Sequence, residues 1–379
     1  MKPRIHLTLF VLFVLVLVTA CRKSTTNQNT SSAATPMQEA IGGGAAPAGE
    51  KFYFRGWISN LSIEMTMVRD SERLTGTYFY PRVGKNIELK GSIDKDGNVE
   101  LRESDETGKD TGVFKGKWKS NDIGLAEIEG KWSRTDGSKQ TDFLLTQQPI
   151  EFTAVVRVVP KVVRENNKEA KYSVDAEYPQ IEGDARFDKF NREARAMITK
   201  DVAAFKTAET SAAGEEEMDL PEETQTSTLN IGYQVRLATD DLISVEFSQS
   251  EYSRGAAHPN SFTTVLNYDV KNGKKIALAD LFNPKSNYLN VISAYCIKDL
   301  KDQSKKEKDS MLMDDQIQEG AAPRADNYKA WTITRKGLWI VFDPYQVAAY
   351  AAGPQHVLVP YSALKPIVKS DGPIGNLAG

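Results

Sequence analysis

Phe52-Tyr53-Phe54-Arg55-Gly56-Trp57-Ile58 is followed by Leu61-Ser62-Ile63-Glu64-Met65-Thr66-Met67, whose apolar residues recur with a period of two. Successive side chains of a strand point to opposite faces, so this alternation predicts strands with one buried and one wet face. The same character continues through residue 147, with further candidate strands at 74–80, 86–93, 99–103, 112–118, 125–132 and 141–145. No helical spacing interrupts them, and about eight strands in an antiparallel meander are expected. Gly116-Lys117-Trp118 recurs as Gly130-Lys131-Trp132, and Leu74-Thr75-Gly76-Thr77-Tyr78 echoes it loosely. Glycine inside a strand marks close approach or sharp curvature, so residues 51–147 are predicted to form an all-β meander or small barrel.

Asp94-Lys95-Asp96-Gly97-Asn98-Val99-Glu100 spaces oxygen atoms as calcium loops do, but its glycine falls at the fourth position and no bidentate Glu stands at the twelfth. Asp-Gly between alternating segments is instead a hairpin turn.

A second domain is expected over 150–367. Residues 152–159 alternate, 161–171 are polar, and 172–179 resume a strand. The clearest helix covers 184–206, with Phe187, Phe190, Ala194, Met197, Ile198 and Phe205 on one face and Asp184 placed to cap it. Residues 207–224 are small and acidic and are expected to be a solvated loop. Strands are predicted at 229–238, 242–252 and 261–269, then a helix from Tyr288 that carries Cys296 and continues through the charged run to 309. The segments 331–334, 338–342 and 357–359 follow, and the glycine-containing end, 368–379, is expected to fray. Strands interleaved with helices in this order predict an α+β domain with helices packed on an antiparallel sheet.

The chain begins with Lys2 and Arg4, an apolar run from Leu7 to Val18 broken only by Thr8, and Val18-Thr19-Ala20-Cys21. That run is short for a membrane span and has the layout of a secretory signal ending in a bacterial lipoprotein cleavage box. Residues 1–20 are therefore expected to be removed and Cys21 to be lipidated, anchoring the chain to a membrane. Arg22 stands where an Asp would signal inner-membrane retention, so the expected address is the outer membrane. Residues 21–50, rich in Ser, Thr, Asn, Gln, Ala and Gly, read as a flexible tether. Loss of residues 1–20 removes two of 48 basic residues and none of the 51 acidic ones, leaving 46 against 51, a formal charge of −5. That balance disfavours nucleic acid, which demands concentrated positive charge.

Only Cys21 and Cys296 are present, so acylation of the first leaves the second unpaired. Helical spacing around Cys296 makes it a packing residue rather than a nucleophile. Of three histidines, His258 and His356 would remain in the mature chain, and neither has a metal-ligand spacing. No phosphate-cradling loop or nucleophile elbow is present, and no cofactor or metal is expected. His258 lies in Ser253-Arg254-Gly255-Ala256-Ala257-His258-Pro259-Asn260, between two strands, where a ring nitrogen bonded to a backbone carbonyl would pin the loop. His258 and Asp343 are the candidates for catalysis, with no nucleophile or acid beside them in sequence. Asp343-Pro344-Tyr345 and Tyr350-Ala351-Ala352-Gly353-Pro354 form a polar-aromatic loop suited to recognition. His258, Asn260, Asp343, Tyr345 and Tyr350 are the candidate binding residues.

Residues 252–260, Thr263-Thr264-Val265-Leu266-Asn267-Tyr268-Asp269, Gly273-Lys274, Leu278-Ala279-Asp280-Leu281-Phe282, 337–354 and Val359-Pro360-Tyr361-Ser362-Ala363-Leu364-Lys365 resemble domain of unknown function 3298. This is the extracellular domain of the anti-sigma factor RsiV, and it also precedes the catalytic domain in some peptidoglycan deacetylases of the PdaC type. The likeness spans roughly 150–367, the first part resembling the region that usually precedes that domain. Gly255-Ala256-Ala257-His258 stands where the family commonly has Gly-Gly-Ala-His. The resemblance implies an α+β wall-facing module, and in RsiV that module is a receptor for lysozyme. The expected function is a non-catalytic cell-envelope lipoprotein that binds a protein such as lysozyme, or peptidoglycan. The alternatives are an enzyme that modifies wall polysaccharide and a structural spacer.

Overall fold

The computed structural model describes residues 49–211, 221, 224–308 and 310–379. The signal segment, Cys21, the tether as far as residue 48 and most of the acidic 207–224 stretch lie outside the described residues.

Eight strands close into an antiparallel barrel. They are β1 (Glu50–Ile58), β2 (Leu61–Asp70), β3 (Arg73–Phe79), β4 (Ile87–Ile93), β5 (Asn98–Ser104), β6 (Asp110–Ser120), β7 (Ala126–Arg134) and β8 (Thr141–Gln148). Closure is made by β1 against β8, with Gly56 opposite Leu145. The inward positions of the opening alternation, Phe52, Phe54, Ile58, Ile63, Met65 and Met67, are all buried. Edge-to-face rings fill the interior, with Phe52 and Trp118 at 5.0 Å and Phe114 and Phe143 at 5.1 Å. The repeated Gly-Lys-Trp segments are cross-strand neighbours, and Gly116 faces Gly130 directly. A Cβ on Gly130 would overlap the Lys115 carbonyl oxygen, so these glycines let the wall bend sharply. Asp94 accepts hydrogen bonds from the amides of Asp96 and Asn98, while Gly97 takes a φ of +80°, which makes this loop the tight turn expected.

Only Pro149 separates the barrel from β9 (Ile150–Glu151), which opens the C-terminal region. Its large sheet runs in the order β10 (Arg157–Asn167), β11 (Tyr172–Glu182), β12 (Ser227–Thr239), β13 (Leu242–Tyr252), β14 (Asn260–Asp269) and β15 (Lys274–Lys275). The sheet is mixed rather than wholly antiparallel, because β12 pairs in parallel with both β11 and β9. The reason is the intervening helix α1 (Asp188–Ser211), which returns the chain to the same end of the sheet before β12. Asp184 caps the short 3₁₀ turn leading into α1 by accepting from the Arg186 amide. Phe190, Ala194, Ile198, Val202 and Phe205 of α1 join the apolar residues of β11–β14 in one core. The first strand lies later than the alternation predicts: 161–167, read as a polar connection, belongs to β10. This is an edge strand paired only with β11, so its polar side chains can remain in water.

A second core lies beyond the sheet, built around α2 (Tyr288–Lys306), α3 (Asp314–Gly320) and the antiparallel strands β16 (Trp331–Ile333), β17 (Gly337–Phe342) and β18 (Gln355–Pro360). Cys296 is fully buried there. The tail is not frayed: Ile374 is 0 % exposed and Ala378 7 %. A short helix at Gly375–Ala378 lets these apolar residues pack into the core between the glycines. The two cores of the C-terminal region are tied by buried polar bonds, in which Asn267 donates to the Trp331 carbonyl and the Ile333 amide donates to the Ser244 hydroxyl. Among the described residues no helix is long and apolar enough to cross a membrane.

Candidate functional site

The 253–260 and 343–354 loops meet. The turn joining β13 to β14 presents His258, whose ring stacks on Tyr350 with centroids 4.0 Å apart and planes 26° from parallel. His258 Nδ1 lies 2.9 Å from the Pro259 carbonyl oxygen, and the Tyr350 hydroxyl donates to the same oxygen. Tyr345 extends the surface, 5.4 Å from Tyr350, and is 61 % exposed. Three rings thus form a continuous platform at the edge of the molecule. Asn260 is exposed beside it at the start of β14, opposite Glu251.

Tyr345 is held in the left-handed region at φ +72°. The Gln346 amide donates to the Asp343 carbonyl, closing a turn in which Pro344 precedes Tyr345. The position after that proline favours glycine, so a tyrosine there is strained, a feature common where a loop is shaped for contact. The loop is anchored from behind by Gln346, whose side-chain amide donates to the carbonyls of Gly320 and Asn327.

Asp343 opens the turn that carries Tyr345 and is itself half-buried. Burial raises its pKa, opposed by the nearby hydroxyl and amide of Thr263, and one carboxylate oxygen is buried without a hydrogen-bond partner. No hydrogen bond or ion pair links Asp343 to His258 among the described residues, so the two catalytic candidates share a neighbourhood without forming a dyad.

A second cluster, which local sequence does not announce, forms where β12 and β13 approach β17 and β18. Arg236 of β12 donates through Nε and a terminal nitrogen to both oxygens of Glu246 on β13, at 3.1 and 2.8 Å. Its guanidinium is 5.7 Å from the Trp339 ring, which stacks on His356 at 5.0 Å. Burial lowers the His356 pKa; Glu246 acts against this, and Arg236 reinforces it. The available signal was a charged residue inside an apolar strand, as in Val235-Arg236-Leu237 and Val245-Glu246-Phe247. Which charges meet depends on strand pairing, which no spacing reveals.

The arrangement combines an exposed stacking surface with a nearby polar cluster in which Arg236 and Glu246 satisfy each other while the Trp339 indole nitrogen and one Asp343 oxygen are buried without partners. It offers contact area and hydrogen-bonding edges. The sole cysteine among the described residues is in the second core, where burial, reinforced by Asp299, raises its pKa far above the ordinary value.

This C-terminal region carries a DUF3298 domain alongside a PdaC-type region. Residues 279–362 match the family described as Protein of unknown function (DUF3298), and residues 165–261 match the family described as Deacetylase PdaC. The chain is similar to the peptidoglycan-N-acetylmuramic acid deacetylase PdaC of Bacillus subtilis (strain 168), at 29 % identity over 153 residues. That stretch covers 40 % of this chain and 32 % of the relative, so the chain spans about a third of the relative's length. A DUF3298-family crystal structure from Bacteroides fragilis matches 60 % of this chain and 98 % of that one at 18 % identity, with a TM-score of 0.43. One from Pseudomonas aeruginosa matches 56 % and 94 % at 17 % identity, with a TM-score of 0.41.

Proposed function

We propose that this chain is a cell-envelope binding protein whose His258–Tyr350–Tyr345 platform takes a protein partner. The observation that carries the proposal is the convergence of three aromatic rings from two loops, one of them strained, on an exposed surface. Tyrosine offers a large contact face with a polar tip at low entropic cost, which is why it concentrates at recognition surfaces. The resemblance to the lysozyme-receptor domain makes lysozyme the first partner to test, with peptidoglycan fragments as the second. Anchoring through lipid on Cys21, in the outer membrane, belongs to the same proposal and rests on the cleavage-box sequence.

Titration of the full chain with lysozyme, and separately with soluble peptidoglycan fragments, tests the binding. Micromolar affinity that falls about tenfold or more in Tyr350→Ala and Tyr345→Ala is expected, the size of an aromatic hot spot. Absence of binding to either ligand at micromolar concentrations removes the basis for the proposal. Incorporation of a labelled fatty acid that disappears in Cys21→Ala tests the anchor.

A second reading, action on wall glycan, has the deacetylase relative in its favour. It predicts release of acetate from N-acetylated glycan that is lost in His258→Ala with the fold intact. A turnover-competent preparation would displace the non-catalytic proposal.

A further inference from the structure

Given the His258–Tyr350–Tyr345 platform as the partner-binding surface, a reading on which this one rests, we propose that the platform receives the guanidinium of an arginine presented by the partner.

The hydrogen bonds beneath the rings decide which polar atoms are left to face a ligand. A carbonyl oxygen can only accept, so the 2.9 Å contact between His258 Nδ1 and the Pro259 oxygen places the ring proton on Nδ1. In the neutral imidazole Nε2 is then a bare acceptor, and no hydrogen bond holds it among the described residues. The Tyr350 hydroxyl gives its only proton to the same Pro259 oxygen, which leaves its own oxygen with lone pairs alone. The His258–Tyr350 pair therefore offers acceptors and no side-chain donor. A carboxylate or phosphate would set lone pairs against lone pairs there.

The rings add a preference for positive charge. Tyr345 is 61 % exposed and 5.4 Å from Tyr350, and His258 is exposed, so aromatic faces stand open beside the acceptors. The negative face of such a ring attracts a cation. Among the described residues no lysine or arginine of the chain lies over these rings. The cation of the 253–260 turn, Arg254, lies 3.9 Å from Glu209 instead. A guanidinium answers both features: it is flat and weakly hydrated, so it stacks on a ring while its in-plane N–H groups donate to acceptors at the ring edge. An ammonium is compact and strongly hydrated and has no plane to stack.

NMR of the full chain in mildly alkaline buffer, which keeps imidazoles neutral, tests this with N-acetylarginine amide, N-acetyllysine amide and N-acetylcitrulline amide as probes. Citrulline keeps the shape of arginine and removes its charge. The arginine probe should shift the His258 and Tyr350 ring signals with an affinity several-fold above the lysine probe, and the citrulline probe should leave them in place. His258→Phe keeps a ring against Tyr350 but removes the acceptor, and should weaken the arginine probe several-fold. Lysozyme with its arginines blocked by cyclohexanedione should bind about tenfold or more weakly than lysozyme with acetylated lysines, the loss expected when an arginine hot spot is removed. A response to the arginine probe no stronger than to either other probe overturns the proposal, and so does arginine-blocked lysozyme that binds like the lysine-acetylated form. Native lysozyme binding that is lost in Tyr350→Ala while the arginine probe has no effect upholds the platform and overturns the arginine site. Ring shifts with the arginine probe but no binding of native lysozyme support the arginine site and remove lysozyme as its occupant.

Discussion

The guanidinium of Arg55 lies 3.8 Å from the centre of the Tyr233 ring, so the first barrel strand and the centre of the large sheet meet through one buried cation. Arg55 also pairs with Glu64 of the barrel and Glu177 of β11, and the Tyr233 hydroxyl donates to Glu64 at 3.1 Å. Burial alone would lower the Arg55 pKa, but Tyr233 and the two carboxylates carry it upward; burial raises that of Glu64. The barrel is fixed to the sheet by this network rather than hung on a linker.

Arg55→Met should therefore destabilise the protein by about 3–5 kcal/mol, because it leaves Glu64 and Glu177 buried without their cation. Chemical denaturation measures the loss. Simultaneous replacement of Arg55, Glu64 and Glu177 by apolar residues of similar size should recover much of it, since desolvation no longer has to be offset. A loss in the single variant no larger than that of an exposed pair contradicts the role assigned to Arg55.

Gly56→Ala should cost about 1–3 kcal/mol, the penalty of overpacking a closed interface. An added Cβ would overlap the Leu144 carbonyl oxygen across the β1–β8 seam. Thermal unfolding, with hydrogen exchange across β1 and β8, shows whether the seam is what weakens.

Tyr345→Gly should separate stability from binding. Glycine relieves the left-handed φ, offset in part by its own backbone entropy, for a net gain of about 1 kcal/mol. Partner affinity should fall at the same time. Urea unfolding and lysozyme titration of the same preparation check both directions, and a variant that is less stable than wild type refutes the strain.

His356 should make stability fall on mild acidification. Its folded pKa lies below the ordinary 6.5, so between the two values the unfolded chain binds more protons. The contribution is fully present above pH 6.5 and is lost as pH falls through that window. His356→Phe keeps a ring against Trp339 and should flatten the urea midpoint between pH 7.5 and 5. Asp343 acts with the opposite sign at lower pH, because its folded pKa lies above 3.8 and its contribution is lost as pH rises. The difference between wild type and the histidine variant isolates the first effect.

Cys296 should resist iodoacetamide in the folded protein and react on denaturation, as mass spectrometry of the labelled peptide can show. It is 0 % exposed, and burial raises its pKa, so both access and thiolate are lacking.

The alternation of Phe52–Met67 was enough to determine the inward face of the barrel, because a strand's two faces follow from local geometry alone. The α1 face, Asp184 as the cap of the turn that leads into it, and the Asp94 turn were legible for the same reason. So was the candidacy of the 253–260 and 343–354 loops, where aromatic and polar residues concentrate between strands. Sequence by itself could not show that Arg55, an outward and nominally wet position, would be buried beneath the sheet, nor that β12 would run parallel to β11. Nor could it join Arg236 and Glu246 to Trp339 and His356, or pack the glycine-rich tail into the second core. Those outcomes depend on which surfaces dock and which strands become neighbours. They are set by long-range packing, in which residues far apart in the chain share one desolvated space.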